Sequence, residues 1–289
     1  MTLTDLKQKF QEGLSELYNE SESLELFFIF VENILETNRF ESRNSLQKEL
    51  EFHQQEQFNE IITELQSGKP YQQILGETEF YGLKFFVDEN VLIPRPETEE
   101  LVELAIKKSQ ESRARNQESI TENLPFKILD IGTGSGIIPI TLQKHFPEAE
   151  ITAIDFSEKA LKTAKKNADF HQTEVHFILQ NYLTESLNDI YDVIISNPPY
   201  IGIDEEKELE DSVKDFEPKM ALFSPTSDAL IFYRKIAEDS KNHLQDGGMI
   251  FLEINQKLGK ETLELFRSFK SAELIQDLSG NDRFIFAVK

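Results

Sequence analysis

Asp130-Ile131-Gly132-Thr133-Gly134-Ser135-Gly136 is the stretch on which the reading of this chain turns. It lies between an apolar run, Phe126–Ile131, and a helical pattern over 137–146. Glycines at alternate positions let a chain turn sharply and bring backbone N–H groups against a ligand at the start of a helix. The dinucleotide fingerprint has its third glycine one position later, where Ile137 stands, so a nicotinamide site fits poorly. Asp155 ends the next apolar run, where a carboxylate can accept both hydroxyls of a ribose.

Outward from this loop, apolar runs alternate with helical patterns. Phe126–Ile131, Glu150–Phe156, Val175–Gln180, Tyr191–Ser196 and Met249–Ile254 read as buried strands. Helices are expected over 137–146, 158–170, 228–244 and 257–269. Ala272–Leu278 and Phe284–Val288 close the chain as an antiparallel pair. This alternation predicts an α/β fold, a mostly parallel sheet with helices on both faces.

Upstream the pattern changes. Leu3, Leu6, Phe10, Leu14 and Leu17 follow helical spacing, as do Phe58, Ile61, Ile62 and Leu65. Leu24–Leu35 is apolar nearly all round and belongs at the centre of a small bundle. Ser67-Gly68-Lys69-Pro70 ends it. From Thr78 to Ile93 strand formers flank Asp88-Glu89-Asn90, a hairpin turn. In Leu92-Ile93-Pro94-Arg95-Pro96-Glu97-Thr98-Glu99 the prolines hold the chain extended, and Glu97 or Thr98 opens a helix through Lys108. Residues 109–124 lack apolar periodicity and read as a mobile loop. Three parts follow: a helical domain over 1–75, a β-hairpin linker over 76–96 and an α/β domain over 97–289.

Composition removes several functions. There is no cysteine, which excludes a disulfide framework, a thiolate metal site and a catalytic thiol. The five histidines are scattered, so no metal centre is expected. No apolar run is long enough to span a bilayer and no secretory signal opens the chain, so a cytoplasmic protein is expected. With 30 basic residues against 53 acidic ones, the net charge of −23 argues against direct nucleic-acid binding.

Asn197-Pro198-Pro199-Tyr200 follows the strand Tyr191–Ser196. Two prolines stiffen such a loop and supply no N–H. The Pro198 carbonyl and the Asn197 side-chain oxygen can then converge as two acceptors on a planar NH2 group. Tyr200 offers a flat face to the group's conjugated plane.

These residues carry a resemblance. The glycine loop resembles the S-adenosylmethionine loop of Rossmann-like class I methyltransferases, whose sheet has seven mostly parallel strands. The whole combination resembles the HemK/PrmC family of protein-(glutamine-N5) methyltransferases, which modify peptide chain release factors. Gly68-Lys69-Pro70, Ile74-Leu75-Gly76 and Glu79-Phe80-Tyr81-Gly82 resemble the stretch between that family's domains. Leu92–Glu99 resembles its most distinctive signature, and Phe216-Glu217-Pro218 and Gly280-Asn281-Asp282-Arg283 are similar to further family marks. Two places depart from the pattern: Asn181-Tyr182 after the third strand, and Glu253-Ile254-Asn255.

The resemblance implies methyl transfer from S-adenosylmethionine, leaving S-adenosylhomocysteine, to the glutamine side-chain amide in the Gly-Gly-Gln motif of class 1 release factors. It places cofactor contacts at Gly132, Thr133, Gly134, Ser135, Gly136, Asp155, Tyr182 and Asn197. Asn197, Pro198, Pro199 and Tyr200 meet the substrate, with Asn197, Pro198 and Tyr200 serving catalysis. Arg95, Glu97 and Glu99 belong either to the pocket or to the domain junction, and no metal is implied. The helical domain is expected to recognise the protein substrate, and the enzyme is expected to be a monomer. The alternative is an adenine-N6 methyltransferase acting on DNA or RNA, since adenine also presents a conjugated NH2.

Overall fold

A computed structural model describes residues 1–115, 125–202, 211–224, 226 and 228–289. They form two compact units, one of Met1–Glu77 with the helix Asp211–Phe216, the other of the remaining described residues. In the first unit, α1 (Leu3–Leu14), α2 (Glu20–Leu35), α3 (Arg39–Asn44), α4 (Phe52–Gln66) and α5 (Tyr71–Leu75) follow in order. Capping boxes start the first two: Thr2 with Asp5, and Asn19 with Glu22. Phe10, Phe27, Phe30 and Phe58 are sealed in the core, with α2 at its centre as expected. Leu17 falls beyond the end of α1 and is 54% exposed, so the predicted stripe stops at Leu14.

The division differs from the expected 1–75, 76–96 and 97–289 in two places. The hairpin, β1 (Glu77–Phe80) and β2 (Leu83–Phe86), buries Phe80 and Phe85 in the core of the larger unit. The helix α9 (Asp211–Phe216) joins the smaller one, where Gln73 Nε2 donates to the Phe216 carbonyl at 2.8 Å. The hairpin turns at Tyr81-Gly82 and not at Asp88–Asn90. Both turn residues are left-handed, with φ of 52° and 69°, as a two-residue hairpin loop requires. Asp88–Asn90 makes a separate turn, Asn90 N donating to Asp88 Oδ1 at 2.8 Å.

The helix α6 (Pro96–Arg115) begins with Pro96 in its first turn and runs seven residues past the expected end. Residues 109–115 are therefore helix and not loop. Their polar pattern hid this, although Ser109 is buried and Arg113 lies 4.7 Å from the Phe126 ring centroid. Residues 116–124 of the expected loop lie outside the described residues.

The sheet contains β3 (Lys127–Ile131), β4 (Glu150–Asp155), β5 (Val175–Leu179), β6 (Tyr191–Ser196), β7 (Leu244–Glu253), β8 (Ser271–Gln276) and β9 (Asp282–Val288). Its order is β5-β4-β3-β6-β7-β9-β8, with β9 antiparallel to both neighbours and the other pairs parallel. Alternate residues enter two cores. Ile128, Val193 and Phe251 pack on the side of α6 and α7 (Ile137–His145). Leu129, Ile194 and Ile250 pack against Tyr233 and Ile236 of α11 (Ile231–His243). Burial on both faces explains why these strands read as unbroken apolar runs.

Candidate active site

The strand register builds the site. Ile131 pairs with Ile154 on one side and Ser196 on the other, and Ser196 pairs with Leu252. The next residue on each strand is Gly132, Asp155, Asn197 and Glu253, so four chain ends leave the sheet in one row. From β3 the chain winds outward through β4 and β5, and β6 starts the other half beside β3. Ligands of open α/β sheets gather at such a switch point. A cavity of about 840 Å³ opens there, lined by Gly132–Ser135, Asp155, Phe156, Tyr182, Asn197 and Pro199, and by Arg95 and Thr98.

Gly132, Gly134 and Gly136 all take left-handed φ, of 77°, 55° and 80°. At Gly136 a Cβ would also meet the Ala164 Cβ at 3.1 Å, so α8 (Glu158–His171) packs close only over a glycine. The Gly134 N–H donates to Asp155 Oδ2 at 2.9 Å and the Ser157 N–H to Oδ1 at 2.8 Å, holding the carboxylate at the cavity wall. Burial pushes the Asp155 carboxyl up, and these N–H groups oppose the shift.

Under the loop, Asp130 is fully buried. The Thr133 hydroxyl stands near its oxygens, but none of these three atoms meets hydrogen-bond geometry with a group of the described residues. Burial pushes the Asp130 carboxyl up to about 7, the Thr133 hydroxyl opposing and the charge of Asp155 adding to the rise. Burial favours the neutral acid at this position.

The acceptor loop is wired differently. Asn197 Nδ2 donates to Thr98 Oγ1 at 3.1 Å, and the Thr98 hydroxyl donates to Glu253 Oε2 at 2.8 Å. The Tyr200 hydroxyl donates to Glu253 Oε1 at 3.1 Å, and the Tyr233 hydroxyl to the Glu253 carbonyl at 3.0 Å. Burial raises the Glu253 carboxyl to about 7 against the pull of Thr98, Tyr200 and the Arg283 charge. Pro198 and Tyr200 do not line the cavity. The Tyr200 ring packs against the α11-side core, and its hydroxyl is held by Glu253.

Tyr182 reaches the cavity from the same core, 4% exposed, with Lys235 Nζ 5.0 Å from its ring centroid. Its hydroxyl stands near Asp239 without strict hydrogen-bond geometry, and burial, then the Asp239 charge, pushes the phenol up. Asn181 Oδ1 is occupied by the Leu183 N–H at 3.2 Å.

The three signature charges separate. Arg95 lines the cavity and pairs with buried Glu217 at 2.5 Å, whose other oxygen accepts the Ile93 N–H at 3.1 Å. Glu99 accepts the Tyr81 N–H at 3.0 Å and so ties down the hairpin turn. Glu97 acts on the Glu253 carboxyl through charge. Thr98, Glu253 and Phe156 escaped the sequence reading as site residues. Their signals were a hydroxyl inside the signature, a carboxylate ending a buried strand, and an aromatic after Asp155.

Sheet order, strand-end cavity and glycine loop together define a class I methyltransferase fold. The hMettl16 catalytic domain in complex with MAT2A 3'UTR hairpin 6 shares this fold at a TM-score of 0.54 and 19% identity, covering 75% of this chain and 80% of that one. Residues 5–76 match the family model of the PrmC N-terminal domain, and residues 117–214 that of the methyltransferase small domain. The release factor glutamine methyltransferase of Flavobacterium psychrophilum is 44% identical over 288 residues, covering 99% of this chain and 98% of the relative. That of Streptococcus pneumoniae is 39% identical over 291 residues, with 99% and 98% covered. The chain belongs to the release factor glutamine methyltransferase (HemK/PrmC) family.

Proposed function

We infer that this enzyme moves the methyl group of S-adenosylmethionine to the side-chain amide nitrogen of the glutamine in the Gly-Gly-Gln motif of class 1 release factors, supporting translation termination. The observation that carries this reading is the row of strand ends, which sets Asn197 beside the glycine loop on one cavity. The cofactor's two positive centres, ammonium and sulfonium, suit a cavity whose wall carries the Asp155 carboxyl, with the Asp130 carboxyl buried two residues before Gly132. When bound, S-adenosylmethionine supplies an electrophilic methyl group.

This chain's residues then have distinct tasks. Gly132–Gly136 admit the ligand against backbone, and Asp155 accepts ribose hydroxyls. Asn197 Oδ1, on the cavity wall, accepts one N–H of the glutamine amide, and the Pro198 carbonyl, next to it in the chain but outside the cavity lining, is assigned the other only in a substrate-bound loop. They thereby turn its nitrogen lone pair toward the reacting carbon and stabilise positive charge as it grows there. The N-methylated cation sheds its proton readily, so no strong base is required. Residues 1–75 recognise the release factor, and the enzyme works as a cytoplasmic monomer.

The test offers purified release factor, tRNA, rRNA and DNA with labelled S-adenosylmethionine. Label on the release factor glutamine is expected. Label on a nucleic acid instead would establish the adenine-N6 alternative and overturn this reading.

A further inference from the structure

Asn197 can work as an acceptor only if its carboxamide is turned one way. Turned the other way, it presents an NH2 group to the substrate's NH2 group, donor against donor. The loop itself does not set this choice, since the prolines fix backbone and leave the side-chain amide free to rotate. The direction is set elsewhere, by residues 99 and 155 positions apart in the chain from their partners.

We propose that Glu253 and Thr98 are positioning residues that lock the Asn197 carboxamide with its oxygen toward the substrate. This rests on the methyl-transfer reading above. The logic is one of hydrogen-bond polarity. Glu253 is wholly buried and takes donors on both oxygens, Thr98 on Oε2 at 2.8 Å and Tyr200 on Oε1 at 3.1 Å. The Thr98 hydroxyl has one proton, committed to Glu253, so toward Asn197 its oxygen can only accept. The Asn197 atom that meets it at 3.1 Å must therefore be the nitrogen. Oδ1 is left as the free polar atom of a side chain that lines the cavity. One carboxylate thus orients two parts of the acceptor loop, Asn197 through Thr98 and Tyr200 directly. Asn255 Nδ2 closes the arrangement on the Tyr200 carbonyl at 3.3 Å.

Replacing Glu253 with Gln keeps shape and reverses polarity. A carboxamide NH2 turned toward Thr98 forces its oxygen to accept there, frees the Thr98 proton for Asn197 Oδ1 and flips the Asn197 amide. Turned toward Tyr200 instead, the NH2 makes that hydroxyl accept, and the carboxamide oxygen keeps the Thr98 bond, so only the Tyr200 anchor changes. Thr98→Val removes the relay at nearly constant volume, and Thr98→Ser restores its hydroxyl.

The experiment measures single-turnover methylation of a release factor at saturating S-adenosylmethionine, with cofactor Kd and melting temperature in parallel. Thr98→Val is expected to slow methyl transfer about 10-fold to 100-fold, less than loss of an oxyanion-type donor or acceptor itself, and Glu253→Gln to slow it at least about threefold. Cofactor Kd should stay within about twofold, because the glycine loop and Asp155 are untouched, and Thr98→Ser should recover most of the rate. A Thr98→Val enzyme at the parental rate, or a Thr98→Ser enzyme as slow as Thr98→Val, would overturn the relay. If Glu253→Gln does not fold, the Thr98 pair decides alone. Failure of the parental protein to label the release factor would strike the methyl-transfer reading, a separate result.

Discussion

The two halves of the cavity treat buried polar groups in opposite ways. Beneath the glycine loop, neither the Asp130 oxygens nor the Thr133 hydroxyl meets hydrogen-bond geometry with a group of the described residues. Behind the acceptor loop, both Glu253 oxygens are engaged, and Thr98 and Tyr200 are engaged through them. Both carboxyls are fully buried, and burial raises each to about 7. What differs is the hydrogen bonding around them. In the first, no group among the described residues is in hydrogen-bond geometry with the carboxyl. The second is closed by the chain's own donors, the preorganisation that the acceptor role proposed for Asn197 calls for.

The sharpest way to break this contrast is Asn197→Ala. If the acceptor half acts mainly in the transition state, single-turnover methylation should fall about 100-fold to 1000-fold. Calorimetric S-adenosylmethionine affinity should move much less. A large loss of affinity with a near-normal rate would reverse the roles of the two halves.

Asp155→Ala tests the glycine-loop half. Loss of hydrogen bonds to a charged group should weaken S-adenosylmethionine by about 1.5–3 kcal/mol, read by titration, while the rate at saturation changes little. Unchanged affinity in a folded variant would remove Asp155 from the site.

Asp130 gives the halves a pH signature. In the free protein its folded carboxyl holds a proton up to about 7, against 3.8 when unfolded. Its contribution to stability is thus full below 3.8 and is lost as pH rises through about 7. A cationic ligand prefers the ionised form, so affinity should climb between pH 6 and 8, by up to about tenfold per unit below 7. Asp130→Asn should flatten both curves relative to the parent. An equally steep affinity curve in that variant would place the titrating group elsewhere.

The smallest effect is expected from Tyr200→Phe. Glu253 keeps its Thr98 bond, so the relay survives. The rate should drop about threefold to tenfold, the scale of one modest hydrogen bond, with a lowered melting temperature from the unpaired carboxylate oxygen. A loss as large as that of Asn197→Ala would mean Tyr200 meets the substrate after all.

How legible the chain was depends on the range of the interaction. The glycine loop, Asp155 and the buried strands declare themselves through local rules: left-handed turns need glycine, and strands covered on both faces need unbroken apolar runs. Residues 109–115 hid because a polar helix face has no periodicity to read. The hairpin turn hid because Tyr81 looks like a strand former while adopting left-handed φ. Thr98 and Glu253 were invisible for another reason. Their meaning lies in one hydrogen bond across 155 positions, and only the strand register brings them together.

The place of β9 has a consequence for biosynthesis. Residues 282–288 are made after β8, yet they lie inside the sheet between β7 and β8. Until they emerge, β7 is an open edge whose apolar residues, Met249 to Leu252, have no neighbour on that side. An unpaired apolar edge is a template for wrong partners. Glu253 ends that same strand, so the acceptor loop's anchor stands on the least protected edge of the nascent chain. Premature truncation before residue 282 should therefore leave a species that aggregates, while every cofactor-loop residue is already present in it.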